Sequence, residues 1–284
     1  MNDRLTTVYA SIDALIDYAL AHLDLDPRNA DWARNRIFAL FDLDSYPGAE
    51  ATSCRPCRGE ENRCAQGPEG SVGRARIVPD ALLSAFRDAA VDCGLFEAQE
   101  GPMYADIVMG LLCASPADLD DRFRLVEHRD GGMAAMQWFY DYCVANNYVK
   151  RSQLDRNPRF DSHGLTVTIN LAKPEFKNMK KAAAGNAVAG GYPKCTICHE
   201  NEGFAGRDKR TLRTLPVTLG GESWFWQFSP YGYFDQHGIC VNADHTPMHV
   251  DRDTFGHLLD FVDRFPGYFL GCNACLLYTS DAAD

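Results

Sequence analysis

Residues 195–207 read CTICHENEGFAGR, two cysteines separated by two residues with a histidine directly behind the second. That spacing supports three chemistries. C-x-x-C-H is the covalent haem attachment pattern, and C-x-x-C is also a redox dithiol and one half of a zinc or iron site. Covalent haem of this kind goes with export. The start of the chain, MNDRLTTVYASIDALIDYALAHLDLD, lacks the basic segment and small-residue cleavage site of a signal peptide. A redox dithiol belongs where a strand opens into a helix. Here the pair lies between AGGYPK and the turn-rich, charged HENEGFAGR. A metal half-site fits better, because two thiolates on a tight turn can grip one ion while other donors come from a distant segment. His245 in GICVNADHTPMHV follows an expected strand and is the favoured partner. His237 and His249 are alternatives, and His199 is too close to the cysteines for easy geometry. Spare thiols that meet the pattern by chance are the competing reading.

Behind the cysteines stand Arg207, Lys209, Arg210 and Arg213, a local basic stretch in a chain of net charge −11. Such a stretch can wall a phosphate site, or it can be a solvated face. Arg207 is the strongest candidate, since it closes a segment holding Gly203 and Gly206 where backbone can approach a ligand. The overall acidity argues against a general nucleic-acid binder. WFWQFSPYGYF, residues 224–234, is an aromatic run with a turn; most of its rings are expected in the core, and a base or sugar can pack on one of them. There is no G-x-S-x-G, P-loop, Rossmann glycine fingerprint or His-x-His pair in the sequence.

The elements that must position these residues fall into two parts. The chain has 284 residues, 46% hydrophobic and 24% charged, an ordinary globular balance that allows one or two domains. No apolar run approaches a membrane span, so a cytoplasmic protein is expected, and its eleven cysteines should be thiols or metal ligands. Residues 3–24 and 31–43 show helical periodicity, and helical patterns return over 79–147. Cys93, Cys113 and Cys143 lie in those patterns as expected buried thiols, and Trp138, Phe139 and Tyr142 form an expected core stripe. The loop 52–74, rich in glycine, proline and charge, carries Cys54, Cys57 and Cys64, expected as free thiols. Strands are expected at 165–171, 212–219, 223–228 and 238–242. A helix is expected behind the proline of KPEFKNMKKAAAGNAVAGG. Another should cover 251–265, followed by a strand in GYFLGCNA. The reading is α+β: a mainly helical region over 1–155 and an α+β domain over 156–274.

The last ten residues, CLLYTSDAAD, resemble a translated transposase-adapter sequence of the kind left at the ends of metagenomic reads. Residues 275–284 are therefore expected to be a non-native tail, with the natural protein continuing beyond Ala274; a frayed natural terminus is the alternative.

YPKCTICHENEGFAGR, QFSPYGYFDQHGICVNADHTPMHV and TFGHLLDFVDRFPGYFLGCNA together resemble the bacterial class II galactose-1-phosphate uridylyltransferases. The resemblance is dense from about Tyr148 to Ala274. It implies an antiparallel-sheet domain like that of the histidine-triad superfamily. It also implies uridylyl exchange between UDP-glucose and galactose 1-phosphate, by a ping-pong route through a uridylyl-histidine. By the same resemblance Cys195, Cys198 and His245 match ligands of zinc or iron, and Asn273 matches an asparagine that contacts phosphate. The substrate-binding set expected is Arg207, Arg213, Gln227, Ser229 and Asn273. Partners implied are a UDP-hexose and a hexose 1-phosphate, with no nucleic acid, no membrane and a possible homodimer. The family's nucleophilic histidine belongs to a His-x-His pair shortly behind GCNA, and no histidine follows His257 here. The 284-residue chain is accordingly expected to be inactive and short of one metal ligand. A non-catalytic, zinc-stabilised module that binds a nucleotide or a protein partner is the rival expectation.

Overall fold

The computed structural model describes residues 3–48, 77–171, 192–193, 195–246 and 250–272. The expectations placed on the loop 52–74, the helix within 173–191, His249, Asn273 and the tail 275–284 lie outside the described residues. The chain is α+β, with helices and small antiparallel sheets. It divides into two compact units, residues 1–114 with 141–156, and residues 115–140 with 157–284. The sequence expectation put all of 1–155 in one helical region. The difference is the segment 115–140, which packs with the strands: Phe123 and Phe139 meet at 6.5 Å, and Phe139 lies 5.4 Å from Phe228.

The first unit is helical. It holds α1 (Asp3–His22), α2 (Ala30–Leu40), α3 (Asp80–Cys93), α4 (Gly101–Leu112) and a short α7 (Arg151–Leu154). α1 buries Val8, Tyr9, Ile12, Leu15, Ile16 and Ala19, the three- and four-residue spacing of one helix face. Tyr18 donates its hydroxyl hydrogen to the Ala145 carbonyl at 2.9 Å, which satisfies a polar group inside this core. α3 stops at Gly94, whose φ of +78° suits glycine. Among the expected buried thiols, Cys143 is buried, whereas Cys93 and Cys113 are half-buried. Phe139 and Tyr142 are buried; Trp138 is half-buried.

The second unit begins with α5 (Pro116–Asp130), capped by the Ser115 hydroxyl, which accepts from the Asp118 N–H at 3.2 Å. α6 (Gly132–Ala145) follows and contributes to both units. β1 (Arg159–Ser162) and β2 (Leu165–Thr168) form a hairpin through His163 and Gly164, both at positive φ as a two-residue turn of this hand requires. β2 is shorter than the expected 165–171, and its partner β1 was not expected. The main sheet is β3 (Leu215–Leu219), β4 (Glu222–Phe228) and β5 (Gly238–Asn242), antiparallel in that order. Gly220 and Gly221, at φ +58° and +82°, close the tight turn that pairs Leu219 with Glu222.

Because side chains alternate across a strand, β4 faces two layers at once. Trp224, Trp226 and Phe228 point to a helical layer. There α8 (Arg252–Arg264) sets Phe261 5.1 Å from Trp226, and Tyr140 of α6 lies 5.1 Å from Phe228. Phe225 and Gln227 point the other way, to the cysteine loop. α8 starts with a capping box, Asp251 accepting from the Thr254 N–H and Thr254 accepting from the Asp251 N–H. It is held to α5 by a two-bond ion pair, Arg264 to Glu127, both at 2.7 Å. Residues 268–272 carry no strand, contrary to the expectation for GYFLGCNA; Phe269 is 75% exposed, and no ladder forms there among the described residues.

Gly238 sits where β5 passes under Trp226. A Cβ there would stand 2.3 Å from Trp226 Cζ2 and 2.6 Å from the Gln227 carbonyl oxygen, so the backbone must shift. Gly238→Ala should destabilise the protein by about 1–3 kcal/mol, read as a lower midpoint in thermal or urea unfolding. An unchanged midpoint would mean the β4–β5 approach is looser than this.

Candidate metal centre

The cysteine loop is built from local geometry. Cys195 and Cys198 bracket a tight turn, and the chain then makes one short 3-10 turn over His199–Asn201. The Cys198 S–H donates to the Cys195 carbonyl at 3.2 Å. Asn201, fully buried, donates its amide to the carbonyls of Cys195 (2.6 Å) and Cys198 (3.0 Å) and reaches Cys198 Sγ at 3.4 Å. One side chain therefore holds both ends of the turn and supplies an N–H to the sulfur. This is the type of outer contact that stabilises a metal-bound thiolate.

Two further groups, buried Gln227 and half-buried Glu202, hold the loop to the sheet. Gln227 of β4 donates to the Ile197 carbonyl at 2.6 Å, in the middle of the C-x-x-C turn. Glu202 accepts from both the N–H and the hydroxyl of Thr214, at 2.8 and 2.9 Å, just before β3 begins. Burial raises the Glu202 pKa against the opposing pull of the Thr214 N–H and the Arg213 charge. Replacing Gln227 by alanine leaves the Ile197 carbonyl without its donor. The expected cost is about 1–3 kcal/mol, visible in unfolding without any substrate. No loss of stability would return Gln227 to a purely substrate-contacting role.

The third donor arrives from the far end of the sheet. β5 ends at Asn242, and the segment behind it brings His245 to the cysteines, where one donor atom each from Cys195, Cys198 and His245 lies within 4.8 Å of the others. The His245 ring is 27% exposed. Its Nε2 stands 3.2 Å from Glu200 Oε1. Burial pushes the Cys198 thiol up to about 12, reinforced by the neighbouring Glu200 carboxylate. Burial also pushes Glu200 upward, but hydrogen bonding with Cys198, its own backbone and His245 outweighs it and holds that carboxyl at about 2. A cation among these groups acts in the opposite sense on the thiols and favours their thiolates.

The donor set fits a borderline-soft ion of the zinc or iron kind: two sulfurs and an imidazole. The spread of up to 4.8 Å is wider than the roughly 3.5–3.8 Å between neighbouring donors of a filled tetrahedral site, so binding would draw the three together. Among the described residues this is the group of cysteine, histidine and carboxylate side chains that converges on one point. His199 is not one of these donors; its ring packs edge-on to Phe225 at 5.3 Å, and its Nδ1 stands 3.6 Å from Glu200 Oε2. His237 lies in the β4–β5 connection, where its carbonyl accepts from the Ser229 N–H.

The basic stretch is less open than its composition implies. Arg213 is buried and donates to the Leu212 carbonyl at 2.7 Å. Arg210 pairs with Asp208 at 3.0 Å, and burial lowers the pKa of Lys209. Arg207 is half-buried; Nη2 donates to the Pro193 carbonyl at 3.1 Å, while Nη1 is buried without a hydrogen-bond partner. Ser229 is half-buried at the end of β4. Glu200, Asn201 and Glu202 were not singled out from the sequence. The signal was present in the run C-x-x-C-x-E-N-E, three polar residues closely behind a proposed ligand.

The fold and this group together define an α+β protein with a Cys-x-x-Cys/His centre laid against a small antiparallel sheet. The family described as galactose-1-phosphate uridyl transferase, N-terminal domain, matches residues 25–247, and the chain belongs to that family. It is 81% identical over 276 residues to a galactose-1-phosphate uridylyltransferase of Bifidobacterium longum, covering 97% of this chain and 54% of that protein. The enzyme of the same name from Halalkalibacterium halodurans is 32% identical, covering 95% of this chain and 52% of its own length. That of Caldanaerobacter subterraneus is also 32% identical, with 93% and 49% covered. The chain thus spans about half the length of the curated relatives it matches. No solved structure matches it. No helix among the described residues is long and apolar enough to cross a membrane.

Proposed function

We propose that the protein to which this chain belongs exchanges uridylyl between UDP-glucose and galactose 1-phosphate in the cytoplasm, releasing glucose 1-phosphate and UDP-galactose. The family match over 25–247, together with the relatives' shared name, carries this reading. The convergence of Cys195, Cys198 and His245 within its motifs supports a metal there. Zinc or iron, when bound, would supply a cross-link between the cysteine loop and the segment behind β5. Gln227, Asn201 and Glu202 hold that loop in place from below.

Arg207 is the residue of this chain best placed to meet phosphate. Its Nη1 is buried and unsatisfied, and an unpaired guanidinium N–H inside protein favours an anionic oxygen as partner. In the proposed chemistry it stabilises charge on a non-bridging phosphate oxygen while Ser229 and Asn273 add neutral donors. Arg213, engaged within the protein, acts through its charge on Glu202. The nucleophile in a ping-pong route is a neutral imidazole, which attacks phosphorus and divides one displacement into two. None of the eight histidines of this chain forms a His-x-His pair, so the role is assigned to none of them. A homodimer is part of the proposal and is read from sedimentation.

The test is an exchange assay on the whole protein with UDP-glucose and radiolabelled galactose 1-phosphate. Label should appear in UDP-galactose, and labelled glucose 1-phosphate should return to UDP-glucose without a second sugar, as a ping-pong route demands. Metal binding without either exchange would favour the non-catalytic module.

A further inference from the structure

Helix α8 is apolar over more of its circumference than the sheet covers. Its inner face carries the buried Phe261, packed on Trp226 at 5.1 Å. Its outer face carries Phe255 and Leu259, 60% and 61% exposed, with half-buried Val262 beside them. Residues three and four apart share one side of a helix, so these three form a single stripe. Other features of the same side have no purpose within one protomer. Gly256 lies in the helix interior without a positive φ, where glycine costs helix stability, yet a Cβ there would meet nothing within 4 Å. Arg252, the first residue of the helix, and Asp263, in its last turn, are both exposed. Each opposes the dipole of its own helix, whose N-terminus favours acid and whose C-terminus favours base.

We propose that the outer face of α8 docks on the same face of a second copy of this chain, the two helices running antiparallel about a two-fold axis. The inference deepens the homodimer reading above by naming its surface, and it rests on neither the metal nor the reaction. Residues 252, 256, 259 and 263 are spaced alternately four and three apart, as along a helix–helix seam. In a two-fold pair, residue i meets residue j and j meets i. An axis midway between His257 and Leu258 therefore sets Arg252 against the partner's Asp263 and Gly256 against the partner's Leu259. Gly256 becomes the hole that admits the leucine, and Phe255 lies beside the partner's Val262. Each arginine then stands at the C-terminal end of the partner helix and each aspartate at its N-terminal end. Charges that oppose their own dipole thus complement the partner's, and both ion pairs form at once. This match of charge and shape selects a second copy as the occupant.

Sedimentation equilibrium of the 284-residue chain tests this. The chain should dimerise at about 100 µM and dissociate on dilution, since one helix pair makes a small interface. Phe255→Gln with Leu259→Gln in one chain should weaken the dimer by more than about 100-fold, and the melting curve of the dilute monomer should stay unchanged. Arg252→Asp and Asp263→Arg should each weaken the dimer about tenfold, because two ion pairs become two like-charge contacts. An equimolar mixture of these two variants should recover wild-type affinity, since the mixed pair restores opposite charges at both ends. A misfolded variant cannot give that recovery. A dimer indifferent to the glutamine pair, or a mixture that stays weak, overturns this surface and leaves the homodimer reading standing. A chain monomeric at the stated concentration also overturns the surface. A monomeric whole protein overturns the homodimer reading itself; if the glutamine pair lowers the unfolding midpoint of that monomer, another part of the same protein covers the face.

Discussion

Serine at Cys198 is expected to abolish tight one-to-one binding of zinc or iron and to make the protein's thermal stability indifferent to chelators. Cys198 is the buried member of the pair, 3% exposed, and its sulfur meets both the Cys195 carbonyl and the Asn201 amide. A hydroxyl can keep those hydrogen bonds, so the loop should still form in Cys198→Ser. It cannot replace a thiolate as a zinc or iron donor. A ligand that binds only the folded state stabilises it by about 4 kcal/mol when free ligand is about 1,000 times Kd. Wild type should therefore lose several degrees of Tm on chelation, and the variant should melt near the chelated wild type with or without metal. A chelator-sensitive Cys198→Ser would remove Cys198 from the ligand set.

The largest effect away from the loop is expected at Phe261. It is fully buried, 5.1 Å from Trp226, 5.0 Å from Phe265 and 5.9 Å from Tyr268 by ring centroids. Phe261→Ala removes the ring on which the helical layer meets β4, and the rigid neighbours cannot collapse into the space. The cost should be about 3–5 kcal/mol, measured from urea unfolding at constant m. Since β4 also carries Gln227 on its opposite face, metal affinity should fall with stability. A cost below about 1 kcal/mol, under the usual range for a buried ring, would show that α8 is not packed on the sheet as described.

Much of this architecture is legible in the chain. The helical periodicity of α1 and the acidic start of α8 lie in residues three and four apart, which a helix brings together without help from elsewhere. β4 and β5 are marked by β-branched and aromatic runs. Two placements depend on residues distant in the chain. The run GYFLGCNA has strand composition, yet pairing needs a neighbour that composition does not supply, and residues 268–272 form no ladder. The segment 115–140 reads as one more amphipathic stretch, and its place beside the strands depends on what its apolar face meets: Phe123 lies 6.4 Å from Phe265, a residue far along the chain. Arg213 reads as a surface charge, while the structure buries it next to Glu202.

The sequence by itself determined the C-x-x-C turn, because a tight turn sets the two sulfurs by local geometry alone. It also determined that a strand precedes His245. Tertiary structure decided the rest of the centre. Whether His245 meets the cysteines depends on the register of β4 with β5, since a one-residue slip would turn every side chain on β5 to the other face. Whether Gln227 serves the loop depends on which face of β4 carries it, and that face was settled by the burial of Trp226 and Phe228 against the helices. Local spacing places donors that are neighbours in the chain, whereas donors as far apart in sequence as Cys195 and His245 are placed by the packing that fixes the sheet.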